Sequence, residues 1–223
     1  MTKPTLFSGT TFQAGQRLLR FSALTMCLAG ALSACAPVVI GGAVMGGLVA
    51  TDRRTSGTQL EDESIELKAA SQIRANLGER VHINVTSFNR QVLLTGETPT
   101  AQDRQMAEQL VGRVENVHQV LNEIAVMAPT TLSQRSSDTL TTGKVRAGLV
   151  DARDLFANAF KVVTERSTTY LMGRVTQREA DHATEVTRTT GGVKRVVRVF
   201  EIISEAELQR LVPAPEKTTP KVN

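Results

Sequence analysis

The side chains in this sequence that could carry chemistry are few and scattered. His82, His118 and His182 stand 36 and 64 residues apart, so no two share the short spacing that places metal ligands on one helical face. The two cysteines, Cys27 and Cys35, both lie in apolar sequence near the N-terminus and are not free to join them. No G-x-S-x-G, H-E-x-x-H or dinucleotide fingerprint occurs, and a Ser/His/Asp triad has no local signature. The run Glu61-Asp62-Glu63 offers paired carboxylates, yet its simpler role is first-turn acid complementing a helix dipole. Gly41, Gly42, Gly46 and Gly47 are followed by no Lys-Ser/Thr, so they do not make a phosphate-cradling loop. The expectation is a protein without a catalytic centre, a metal or a cofactor.

Composition narrows the class further. The 223 residues are 41% hydrophobic and 22% charged, which fits one large domain or two small ones and excludes collagen-like, disulfide-scaffold and polytopic membrane chains. With seven Phe, one Tyr and no Trp, there is little material for stacking nucleic-acid bases. Residues 1–34 hold Lys3, Arg17 and Arg20 and no acid. Of 26 bases, 23 therefore remain against 22 acids, and the mature chain is nearly neutral. Nucleic acid is not an expected partner.

Residues 1–34 have the layout of a secretory signal: a cationic stretch to Arg20, the apolar run Phe21 to Leu32, then small residues. The run ends Leu32-Ser33-Ala34-Cys35, which resembles a bacterial lipobox, in which the cysteine becomes the acylated first residue. A plain signal peptide with a coincidental cysteine is the alternative. Cys35 would then be the sole mature thiol and an acyl (palmitate) acceptor, and several acyl chains hold a protein durably where one does not. Val38 to Ala50 is 13 residues long, short of the roughly 20 that span a bilayer as a helix, so residues 35–57 read as an acylated Gly-rich linker. Position 36 is Ala rather than the Asp that, in the lipoproteins this resembles, favours inner-membrane retention, which implies outer-membrane sorting.

The rest of the chain repeats at a spacing of 76 to 77 residues. Lys68 matches Lys144, Ile73 Leu149, Val85 Val162, Leu94 Leu171, Gly96 Gly173, Val117 Val193 and Val120 Val196. In the first copy Asp62 or Ser64 can cap a helix whose Ile65, Ala69, Ile73 and Leu77 share one face. Ile83/Val85 and Val92/Leu94 alternate as two strands joined by a tight Asn89-Arg90 turn. Thr100 opens a second helix, Asn116 sits where positive φ is wanted, and Val117 to Met127 resumes strand character. The second copy places the same elements at Leu140–Ala152, Phe160–Glu165, Thr168–Gly173, Thr176–Thr190 and Val193–Ile203, with Gly191-Gly192 in the role of Asn116. Gly96 and Gly173 read as structural strand-end glycines. The polar joining segment predicts two units that fold independently.

This element order, with the strand ends Val92-Leu93-Leu94-Thr95-Gly96 and Thr169-Tyr170-Leu171-Met172-Gly173 and an Asn/Gly-Val before the last strand, resembles the BON domain family. The combination of leader, lipobox, Gly-rich spacer, Thr51 to Gln59, Lys144-Val145-Arg146 and Gly192 to Val196 is similar to its two-domain outer-membrane lipoproteins. The expected fold is α+β: two tandem BON domains, each helix-strand-strand-helix-strand with two helices on one face of a small mixed three-stranded sheet. Residues 58–128 and 138–208 are the two domains, 129–137 a linker and 209–223 a disordered tail. The resemblance implies a non-enzymatic, lipid-anchored protein on the periplasmic face of the outer membrane that supports envelope integrity. It also implies binding of anionic phospholipids, such as phosphatidylglycerol and cardiolipin, through the first helix of the second domain at Leu140, Thr141, Lys144, Val145 and Gly148. The proteins resembled carry Trp where this chain has Leu140, so the interfacial anchor here is apolar without an amphipathic ring.

The charges divide in the same sense. Residues 58–128 hold 6 bases and 10 acids, whereas residues 133–212 hold 13 bases and 10 acids, so only the second domain suits an anionic surface. Leu140, Lys144 and Ala147 fall on one helical stripe, while Val145 and Leu149 are expected to face the core. The competing readings are a solvated charged face and an adaptor whose domains recruit an envelope-assembly, cell-wall-remodelling or cell-division protein.

Overall fold

The computed structural model describes residues 52–211, so the leader, Cys35, the start of the Gly-rich linker and residues 212–223 lie outside the described residues. The first repeat runs α1 (Ser56–Leu77), β1 (His82–Phe88), β2 (Gln91–Thr98), α2 (Ala101–Gly112), β3 (Gln119–Asn122) and β4 (Ala125–Val126). The second runs α3 (Leu132–Asp151), β5 (Phe160–Glu165), β6 (Thr168–Val175), α4 (Gln177–Arg188) and β7 (Arg195–Ile202), followed by α5 (Glu205–Leu211). In each sheet the middle strand of the repeat is central, antiparallel to the strand before it and parallel to the strand after α2 or α4. Val85 pairs Leu94 and Val162 pairs Leu171, so the repeat predicted from sequence also holds in register. These are the two mixed α+β units expected.

Alternation of side chains splits each central strand between two cores. Val92 and Leu94 face Ile65, Ala69, Ile73, Leu77, Ala107 and Val111 of the helices, and Leu171 faces Val145, Leu149, Ala180 and Ala183 in the second repeat. Between them, on the opposite face, Leu93 meets Tyr170 and Met172 with Phe88, all buried in a third cluster shared by both repeats. The sheets therefore pack against one another with the helices outside. Hydrogen bonds stitch the rim: Lys161 Nζ to Glu66 at 2.9 Å, Asn89 Nδ2 to Glu201 at 2.6 Å and Arg166 Nη1 to the Gly96 carbonyl at 2.8 Å. The expected pair of separate bodies is instead two halves with a common core.

Both first helices begin earlier than their apolar pattern suggests. Thr55 and Thr131 cap them by accepting the amides of Thr58 and Gln134, and the first turns are largely exposed and polar, so no hydrophobic period marks them. Residues 132–137 are thus helix rather than linker, and residues 209–211, expected in the tail, end the helix Glu205–Leu211. Neither Asp62 nor Ser64 is a cap. Asp62, buried in the second turn of α1, accepts the Asn89 and Arg90 amides at 2.8 Å each and the Ser87 hydroxyl at 2.7 Å. Asp138, 76 residues later, accepts the Arg166 and Ser167 amides at 2.9 and 3.0 Å. All four turn residues have positive φ, at 51, 65, 49 and 60°, as a two-residue hairpin of this hand requires.

Gly96 and Gly173 are structural as expected. A Cβ at Gly96, where φ is +111°, would sit 2.0 Å from the His82 carbonyl oxygen, and one at Gly173 would sit 2.5 Å from that of Ala159. The third strand of the first repeat is broken at Glu123 and Ile124, with Ile124 turned into the core.

Asp62→Ala and Asp138→Ala leave turn amides without their charged acceptor, and each should cost about 2–4 kcal/mol by chemical denaturation. A loss under about 0.5 kcal/mol would show that the turns hold themselves. Because the third cluster spans both repeats, Met172→Ala should lower stability by about 2–4 kcal/mol within a single unfolding transition. Two separate transitions in the unsubstituted chain would contradict the shared core.

Candidate functional site

The predicted lipid-facing helix is α3, and its burial decides which of its residues can meet a surface. Asp138, Thr141, Val145 and Leu149 form its inward face. Val145 is wholly buried in the second-repeat core, and Thr141 donates to the Ser137 carbonyl while its side chain fills the space a Cβ on Gly192 would need. Gly148 lies half-buried against α4, where a Cβ would stand 3.1 Å from Val186. Thr141, Val145 and Gly148 therefore position the helix, which corrects the expectation that they contact lipid.

Leu140 and Lys144 are outward. Leu140 is 67% exposed, and Lys144 and Ala147 are exposed beside it. Sequence reasoning missed two further members: Leu132, 78% exposed, and Val150, 68% exposed. They are 18 residues apart, five turns of an α-helix, and so share one line along it. Leu132 was hidden because its turn reads as polar linker. The exposed face of α3 thus carries Leu132, Leu140, Ala147 and Val150 among small polar residues, with Lys144, Arg146 and Asp151 also exposed on it, an arrangement that can insert leucine and valine at a bilayer interface while an ammonium meets phosphate.

The hairpin turn brings more positive charge to the same end of the helix. The Ser167 carbonyl accepts the amides of Lys194 and Arg195 at 2.8 and 3.4 Å, while the neighbouring Ser167 amide is held by Asp138. Arg195, itself exposed, also pairs with Glu123 of the first repeat at 3.5 Å, and Lys194 is exposed beside it. Beside Val150, a cavity of about 500 Å³ is lined by Arg146, Leu149, Phe160 and the incoming residue Asp52.

That incoming segment is fastened to both halves. Arg53, almost fully buried, makes a two-pronged ion pair with Glu179 at 2.6 and 2.8 Å and donates to the Arg174 carbonyl. Burial opposes the Glu179 charge, but the Arg53 hydrogen bonds outweigh it and hold the carboxyl below its ordinary range. Arg54 bridges Asp52 and Asp62 and stacks over Phe88, 4.2 Å from the ring centre.

A second group of titratable residues lies where the halves meet. Glu97, fully buried at the end of β2, accepts from His82 Nδ1 at 2.9 Å and from Arg166 Nη1 at 3.0 Å. Burial raises its pKa, but those bonds and the Thr130 amide outweigh burial and keep it below the usual carboxylate range. Glu165, also buried, moves the other way because of burial and then the charge of Glu97. Its hydrogen bond is from the neutral Asn84 amide at 3.1 Å. His82, Glu97 and Glu165 place ligand atoms within 4.8 Å of one another. Sequence spacing does not reveal this because Glu165 arrives from the other repeat.

The only tyrosine, Tyr170, is buried between the sheets, which pushes its hydroxyl up to about 12. No helix among the described residues is long and apolar enough to cross a membrane.

Comparison with known proteins bears on the same two units. The BON domain family matches residues 61–128 and 137–204. The chain is 35% identical over 175 residues to the outer membrane lipoprotein DolP of Haemophilus influenzae, covering 77% of this chain and 90% of that one. It is 33% identical over 154 residues to a 21 kDa hemolysin of Actinobacillus pleuropneumoniae, covering 68% and 79% respectively. With both repeats matched and the α+β units in tandem, the chain belongs to the BON domain family as a DolP-like dual-BON protein.

Proposed function

We propose that this protein is a non-enzymatic outer-membrane lipoprotein, acylated at Cys35 and facing the periplasm, whose second BON domain binds anionic phospholipid and supports envelope integrity. The observation that carries the lipid contact is the set of exposed apolar residues on α3, Leu132, Leu140, Ala147 and Val150, with Lys144 beside them. A helix that buries its polar Asp138 and Thr141 while exposing leucines and a valine gains nothing in water from that arrangement, but does at an interface. The lipoprotein assignment rests on the Leu32 to Cys35 pattern together with the likeness to the outer membrane lipoprotein DolP of Haemophilus influenzae.

Electrostatics assist rather than dominate. Each lysine or arginine near an anionic surface contributes about 1 kcal/mol, and the contribution falls with salt. A contact that weak matters when an acyl anchor already holds the chain at the membrane. Recruitment of an envelope-assembly protein is compatible with this reading, with the acidic first domain as the recruiting surface.

Leu140→Glu removes apolar insertion and adds repulsion without touching the core. In the chain from residue 36 onward, it should abolish sedimentation with phosphatidylglycerol vesicles at low salt and leave the melting temperature unchanged. Equal binding by the folded variant and the unsubstituted chain would rule out this face. Radiolabelled palmitate should be incorporated by the full chain and lost in Cys35→Ser; label retained by that variant would refute the anchor.

A further inference from the structure

We propose that His82, Glu97 and Glu165 form a zinc-binding site that clamps the two BON domains to each other. His82 begins β1, Glu97 nearly ends β2 and Glu165 ends β5, so a bound ion would tie both strands of one hairpin to the edge strand of the other sheet. The three side chains present one nitrogen and two carboxylate oxygens within 4.8 Å. Tetrahedral ligands at 2.0–2.2 Å from zinc stand about 3.3–3.6 Å apart, so small side-chain rotations close the set. His82 Nδ1 and Glu97 Oε2 are already 2.9 Å apart.

The balance of charge favours a cation there. Arg166 on Oε1 keeps the Glu97 carboxylate oriented, as outer-shell partners do at metal sites, while Oε2, which faces His82 Nδ1 at 2.9 Å and has only long bonds from the Thr130 amide and hydroxyl at 3.3 and 3.4 Å, is the oxygen an ion would take over. Glu165 is 95% removed from solvent, yet among the described residues no lysine, arginine or histidine nitrogen lies within ion-pair distance of it. One of its oxygens accepts from Asn84, and the side chain lines an open cavity of about 480 Å³ shared with His82, Asn84, Arg135 and Asp138. An ion and the water that completes its coordination can enter by that route. The ligand types discriminate among metals, since imidazole with carboxylates suits zinc, whereas calcium and magnesium take oxygen ligands. Arg135, the one guanidinium among the described residues lining the cavity, has its Nε turned to the Thr130 hydroxyl at 3.4 Å.

The test uses the full chain, stripped of metal by a chelator and returned to chelator-free buffer at neutral pH. Titration with Zn²⁺ should show a site that raises the melting temperature, and Co²⁺ in its place should give the strong visible absorption of a four-coordinate ion. Glu165→Gln keeps the shape of the side chain, and His82→Ala removes the nitrogen; each should weaken zinc binding at least about tenfold and abolish the cobalt absorption. If His82→Ala does not fold by circular dichroism, Glu165→Gln alone decides. Zinc held at unsubstituted affinity by the folded variants, as adventitious capture by the Cys35 thiol would give, overturns the proposal. So does an unsubstituted chain indifferent to zinc whose stability rises on Glu165→Gln, the behaviour of a buried carboxyl pair that shares a proton.

Discussion

A buried carboxylate from the first helix of each repeat reaches under the hairpin and takes both amides of its turn. Asp62 does this for Asn89 and Arg90, Asp138 for Arg166 and Ser167. Left-handed backbone is costly for side-chain-bearing residues, and three of these four are not asparagine or glycine. Hydrogen bonds to an ionised acceptor offset that cost, because they are about twice as strong as neutral ones. With the turn fixed, the strand register is fixed, and a slip of one residue would turn Leu93 and Met172 towards the helices. The helix, the hairpin and the choice of which face each strand residue meets therefore depend on one side chain per repeat.

The shared core follows from that register. Each sheet has helices on one face only, and a small unit with one open apolar face is marginal. Leu93, Tyr170 and Met172 remove that face from water by facing one another. The arrangement leaves the outer faces of the helices for other partners: α1 exposes Leu60 and Leu67 in its acidic repeat, and α3 exposes Leu132, Leu140 and Val150 beside Lys144. Arg53, bound to Glu179, and Arg54, bound to Asp62, fasten the segment that enters from the N-terminal side to both repeats. Breaking a buried pair such as Arg53–Glu179 is expensive, since it strands a charge.

Much of this was legible in the sequence, for reasons that differ by element. β5 falls at Phe160–Glu165 as read, because alternating apolar residues bounded by turn chemistry are a two-residue period that needs no tertiary information. The start of α3 was not legible: Thr131 to Ser137 is polar, and only the cap and the later turns show that it is helix. Asp62 was visible as an acid near a helix start but not as a buried acceptor, since its partners lie 27 and 28 residues on. On the candidate face, Leu140 and Lys144 were readable from their spacing. Thr141 and Gly148 were misplaced because their burial is set by Gly192 and by Val186, on elements the helix pattern does not contain. The His82–Glu97–Glu165 group was out of reach for the same reason.

The central claim is that this BON protein meets anionic lipid through the outer face of α3 while the shared core stays intact. Paramagnetic broadening of its nuclear magnetic resonance spectrum by nitroxide-labelled phosphatidylglycerol vesicles tests that residue by residue. The account predicts broadening concentrated at Leu132, Leu140, Lys144, Ala147 and Val150, with Val145 and Leu149 less affected and α1 unchanged. Broadening centred on α1, or none above that seen with zwitterionic vesicles, would contradict it.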